Sequence, residues 1–150
     1  MNQRLRPDGK FLLAADGKAA VGPACECSTC EKCCGFQNSA VVTVDGGADP
    51  DCLSYAGTYL YVIQNTIEWG CIWSWTRSAD PARSLEVEYH KTFDKWSVGL
   101  YFDDPSIFPQ FWNPDVSGLS CVNGKLTGAF DLPGVDGIDD CIGYTAHVTL

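Results

Sequence analysis

Five of the chain's nine cysteines, Cys25, Cys27, Cys30, Cys33 and Cys34, fall within the stretch ACECSTCEKCCG at 24–35. A cluster this dense commits the chain to one of three local chemistries: a metal cage, a redox centre or a knot of disulfides. Structural zinc sites usually pair two C-x2-4-C knuckles across a loop of roughly a dozen residues or more. Here Cys27, Cys30 and Cys33 run on without a second knuckle, and the two histidines, His90 and His147, lie far along the chain. Cys52, Cys71, Cys121 or Cys141 could complete a site, so zinc stays open. A thioredoxin-like centre needs a helix N-terminus to lower its thiol pKa, and these surroundings carry no helical pattern. Disulfides are the leading reading.

The four body cysteines sit around short loops. Cys52 precedes one strand-like run and Cys71 lies in the next, while Cys121 and Cys141 flank another. Local closure favours the bridges 52–71 and 121–141, each worth roughly 3 kcal/mol by the chain-entropy model. Two further bridges inside the cluster would leave one sulfur over for a partner chain.

Such a cysteine load implies oxidising surroundings, yet no secretory signal opens the sequence. MNQRLRPDGK leads only into FLLAA, too short for a leader's apolar region and far short of the roughly 20 residues of a membrane helix. A chain that keeps Met1 and oxidises once lysis releases it, as a virion component does, satisfies both observations. Export by another route and a cytosolic metal protein are the alternatives. The net charge of −9, with its ten basic residues scattered, argues against nucleic acid as a partner. Residues 1–24 run the other way, with Arg4, Arg6, Lys10 and Lys18 against Asp8 and Asp16. A mildly basic arm on an acidic body suits docking on an acidic neighbour.

The organisation follows that division. Residues 1–37 read as an extended N-terminal arm and Cys-rich joint, with two short strands around Asp-Gly turns in RPDGKFLL and AADGKAAV. Residues 38–150 read as a β-sandwich domain. Strands are expected at 40–44, 57–64, 66–75, 84–90, 95–102, 125–130 and 143–150, separated by Asp-Gly-Gly, Asp-Pro, Asn-Gly and Pro-Gly turns. In GTYLYVIQ (57–64) both faces look buried. In SLEVEYH (84–90) Leu85, Val87 and Tyr89 point inward and Glu86 and Glu88 outward. No window shows a helical period, and the three-proline stretch 103–120 reads as an irregular loop. The expected fold is an all-β antiparallel sandwich, jelly-roll or immunoglobulin-like, stapled by disulfides.

Candidate chemistry is sparse. The Asp-rich loops 44–52 and 131–141 suggest calcium through Asp136, Asp139 and Asp140, although Asp-Gly in a β protein is usually a turn. Trp69, Trp73 and Trp75 alternate, and Trp96 suits a core position. Trp112, with Phe108 and Phe111 in FPQFWNP, is the candidate exposed patch for a sugar ring. No nucleophile motif or phosphate loop is present, so no catalytic residue and no cofactor is expected. His147, alternating with Thr145 and Thr149, reads as a surface residue.

Cys33-Cys34, Val42-Thr43-Val44, the run Cys52 to Tyr59 with its C-x2-Y-x-G-T-Y pattern, and Cys71-Ile72-Trp73 together resemble cysteine-rich β-domains of phage virion and environmental bacterial surface proteins. The closing CIGYTAHVTL is similar to the ends of such chains, and the likeness spans 33–150. It implies a β-sandwich of a virion or surface protein and carries over no catalytic residue. The functional expectation is a non-enzymatic phage structural protein (capsid decoration, tail or fibre component). It would sit in the virion, docked through residues 1–37 on other virion proteins or on copies of itself. A carbohydrate- or surface-binding extracellular module is the first alternative, and a cytosolic structural zinc protein the second.

Overall fold

A computed structural model describes residues 29–102, 108–136 and 140–150, together with the backbone of 4–5 and 10–11. Strands β1 (Arg4–Leu5) and β2 (Lys10–Phe11) pair antiparallel on either side of residues 6–9. Of the expected arm and joint, residues 1–3, 6–9 and 12–28 lie outside the described residues. A single turn of helix, α1 (Thr29–Lys32), leads to β3 (Ala40–Asp45). Another short turn, α2 (Pro50–Leu53), starts where Asp49 caps it by accepting from the Asp51 N–H at 2.9 Å, with Pro50 preset for the first helical position.

The remaining elements are β4 (Gly57–Ile67), β5 (Gly70–Arg77), β6 (Arg83–His90), β7 (Lys95–Phe102), β8 (Pro109–Val116), β9 (Ser120–Val122), β10 (Lys125–Thr127), β11 (Ala129–Pro133) and β12 (Thr145–Thr149). Eight of the strands form one sheet in the order β11-β12-β3-β4-β5-β6-β7-β8, every neighbour antiparallel. The sheet curls until its edges meet. Phe111 pairs with Gly134, the Val135 N–H donates to the Gln110 carbonyl at 2.9 Å, and the Asn113 side-chain amide donates to the Asp131 carbonyl at 3.1 Å. The all-β antiparallel expectation holds, and the layers that pack face to face are opposite walls of one nearly closed barrel.

Its interior is filled by the alternate, inward residues of the strands: Tyr59, Trp73, Trp75, Leu85, Val87, Val98, Leu100, Phe111, Leu132 and Val148 are buried. Two indole N–H groups bind the chain that enters the barrel end. Trp73 donates to the Cys33 carbonyl and Trp75 to the Asn38 carbonyl, each at 2.8 Å. Gln37 is buried beside them, its amide donating to the Cys33 carbonyl at 3.1 Å and its oxygen accepting from the Leu126 N–H at 2.6 Å. The joint is therefore packed as a plug between the barrel and the β9–β10 hairpin. That hairpin turns at Asn123 and Gly124, both at positive φ (53° and 82°), as a two-residue I′ turn requires.

The disulfides differ from the local pairs that spacing favours. The bonds are Cys30–Cys71, Cys33–Cys121 and Cys52–Cys141. Strand direction explains the correction. β4 carries the chain roughly 33 Å away from Cys52 before it turns back toward Cys71, and a disulfide tolerates Cα atoms no more than about 7 Å apart. Cys52 and Cys71 thus lie at opposite ends of the barrel, as do Cys121 and Cys141. Cys34 is disulfide-bonded as well. With Cys30, Cys33 and Cys34 in bridges, no group of three His, Cys, Asp or Glu side chains that could hold zinc is found among the described residues.

Three other differences have local causes. Within the expected loop 103–120, residues 109–116 form β8 and 120–122 form β9, while 103–107 lie outside the described residues. β8 is the last strand of its sheet, where Pro109 and Pro114 do not interrupt a central ladder. β4 is buried on one face alone: Leu60, Val62 and Ile63 are exposed, and a register shift between Tyr61 and Ile63 marks a bulge. The expected strand 125–130 breaks at Gly128, where φ is +152° and a side chain would press on the Gly118 carbonyl.

Candidate functional site: the outer face of β5 to β8

Alternation sends Ile72, Ser74 and Thr76 of β5, Glu86, Glu88 and His90 of β6, and Ser97, Gly99 and Tyr101 of β7 to the outside of the barrel. Cross-strand pairing aligns them in rows. One row runs Ser74, Glu86, Gly99, Trp112 across four strands, and the next runs Ile72, Glu88, Ser97. Trp112 is 40% exposed beside Gly99. A Cβ on Gly99 would lie 2.8 Å from Cε1 of Tyr101, so the Tyr101 ring occupies the notch that glycine leaves. Burial raises the Tyr101 hydroxyl pKa above the usual phenol value, and the carboxylates of Glu88 and Glu86 add to it.

Glu86 is half-buried in this row, and no hydrogen bond or ion pair to it is found among the described residues. Burial, with the charge of Glu88 second, raises its pKa to about 7. Glu88 accepts from the Ser97 hydroxyl at 3.3 Å and lies 3.5 Å from His90 Nε2. His90 in turn stacks on Trp69, ring centroids 4.2 Å apart and planes within 9°. Trp69 occupies the β4–β5 turn and is 39% exposed. Two indoles therefore bracket the carboxylate pair, roughly 20 Å apart along the sheet by strand rise and spacing. The acidic face is interrupted by Lys95, which faces Asp115 at 3.5 Å.

Ser97, His90 and Glu88 are juxtaposed without the geometry of a nucleophilic triad. Ser97 Oγ, at 3.3 Å, and the Glu88 carboxylate both face the same ring nitrogen, Nε2, whereas a triad uses the two nitrogens for different partners. Ser97 is also only 4% exposed, which denies it a substrate.

The sequence-based candidates separate clearly. Trp112 and Phe108 are exposed. Phe111 is not part of a binding patch: it faces inward, fully buried, edge-on to Tyr55 at 5.5 Å. Asp136 and Asp140 pair across a single bridge, and Asp140 accepts from the Ile142 N–H at 3.2 Å. Asp139 lies outside the described residues, and among the described residues no three His, Cys, Asp or Glu side chains converge on a metal position. Sequence reasoning missed the environment of Glu86, whose signal was the glycine and tyrosine of S-V-G-L-Y on the neighbouring strand. It also missed a second feature on the far side of the sheet. His147 hydrogen-bonds Asp131 through Nδ1 at 2.6 Å and Asp45 through Nε2 at 2.8 Å, bridging β11, β12 and β3.

Three disulfides imply folding in an oxidising, extracellular environment. No helix among the described residues is long and apolar enough to cross a membrane. Comparison with protein-family models, curated proteins and solved structures gave no match.

Proposed function

We propose that the protein is a non-catalytic extracellular binding module that holds carbohydrate on the outer face of β5 to β8. The carrying observation is Trp112, an exposed indole in the cross-strand row of Glu86 and one row from Tyr101, on a wall whose strand β5 is stapled by Cys30–Cys71. A large apolar ring left in water on a rigid sheet suits stacking against the C–H face of a sugar, while neighbouring carboxylates accept hydroxyl hydrogen bonds. The wall is preformed, so binding orders little of the protein. Glycan-array binding by the disulfide-intact protein that drops at least tenfold in Trp112→Ala is the expected result. No binding to any glycan, or a Trp112→Ala variant that binds unchanged, would overturn the reading.

The second reading is a structural component of a phage-like particle, docked through its N-terminal segment on other particle proteins or copies of itself. It is favoured by the bridges at Cys30 and Cys33, which fasten the root of a segment bearing Arg4, Arg6, Lys10 and Lys18 to an acidic body. Gradient-purified particles would contain the protein and lose it when residues 1–28 are deleted. Particles without it would refute this reading.

A further inference from the structure

The charge pattern of the outer face narrows the ligand further, resting on the carbohydrate reading above. Glu86 and Glu88 lie two residues apart on one strand face. No Arg or Lys side chain neutralises them among the described residues: Arg83 is turned against Tyr55 and Phe102, and Lys95 faces Asp115. Glu86 feels the repulsion of Glu88 and has lost part of its hydration. A positive charge brought between them relieves both costs. The flanking indoles of Trp69 and Trp112 attract the same cation through their ring faces. Their separation, roughly 20 Å along the sheet, spans an extended polymer rather than a single ring.

We infer that the ligand is a glycan chain carrying protonated amines, an oligomer of unacetylated amino sugars. Its C–H faces stack on Trp112 and Trp69, and an ammonium group sits at the Glu86–Glu88 pair. A polyanionic glycan is excluded by the same charges, and a neutral one gains nothing from them.

Calorimetric titration of the full disulfide-bonded chain at pH 7, where Glu86 is ionised in about half the molecules, with a glucosamine hexamer and with its fully N-acetylated counterpart tests this directly. The two probes share a backbone and differ in charge. The glucosamine hexamer should bind at least tenfold more tightly. The Glu86→Gln/Glu88→Gln double variant should erase that preference, and Trp112→Ala should weaken binding of the glucosamine hexamer. Equal binding of both hexamers, still lost in Trp112→Ala, overturns the amine assignment while keeping the carbohydrate reading. Absence of binding to either overturns both. Displacement of the glucosamine hexamer by an equal concentration of oligolysine overturns the glycan class in favour of a basic peptide. Near-ultraviolet circular dichroism of each variant, unchanged from the parent, separates lost binding from lost fold.

Discussion

At the scale of single residues, burial decides which carboxylates matter. Glu86 has its pKa raised to about 7 from 4.5, first by burial and then by Glu88. The sign follows from linkage. The folded state holds a proton that the unfolded state has released, so this group's cost is absent below about pH 4.5 and complete above about pH 7. Because the side chain keeps partial access to water, the cost is discounted to about 1–2 kcal/mol. Glu86→Gln should therefore raise the urea midpoint at pH 8 and leave it nearly unchanged at pH 4. A variant equally stabilised at both pH values would show that the carboxyl is not desolvated.

His147 works in the opposite direction. Hydrogen bonds from its ring to Asp131 and Asp45 raise its pKa above 6.5. Its stabilisation is complete below about pH 6.5 and fades as pH rises through the folded value. Being exposed, the clamp adds little stability. The sharper readout is the imidazole titration by NMR, whose midpoint should fall in Asp131→Asn and again in Asp45→Asn. A midpoint insensitive to both would mean the bridge does not form in solution.

Among the elements, the bridges act as staples for long loops. Cys52–Cys141 spans 89 residues of sequence and Cys30–Cys71 spans 41. By chain entropy the first is worth about 4–5 kcal/mol and the second about 4 kcal/mol. Urea unfolding of Cys52→Ala/Cys141→Ala should show a loss of that size, and a loss no greater than that of a surface substitution would contradict it. These pairings were not legible in the sequence, because they depend on which end of the barrel each strand reaches. What was legible was alternation: β6 and β7 lie at Arg83–His90 and Lys95–Phe102, almost where apolar spacing puts them. β8 escaped notice because its prolines imitate a loop, and only its place at the end of the sheet makes them harmless. Trp112 was readable as exposed, but its partners were not, since Glu86 and Gly99 join it only through register.

For the molecule as a whole, the bridges divide by barrel end. Cys52–Cys141 fastens α2 to the loop before β12, while Cys30–Cys71 and Cys33–Cys121 fasten the plug at the opposite end. Of the strands of the outer face, β5 is tied to the plug through Cys71, and β9, just beyond β8, is tied to the same end through Cys121, which limits the wall's freedom there to rearrange around a ligand. Nine cysteines are an odd number, so disulfides formed among these 150 residues leave one sulfur over. All seven cysteines among the described residues are disulfide-bonded, which directs attention to Cys25 and Cys27. Alkylation of the denatured, unreduced protein followed by peptide mapping should label one cysteine per monomer, within the peptide containing those two. A chain that instead uses this sulfur between copies would run as a dimer on a denaturing gel and collapse to monomer with reductant. Label on any bridged position would refute the pairing, and label on Cys71 would in addition release β5, the strand through which the binding wall is stapled to the plug.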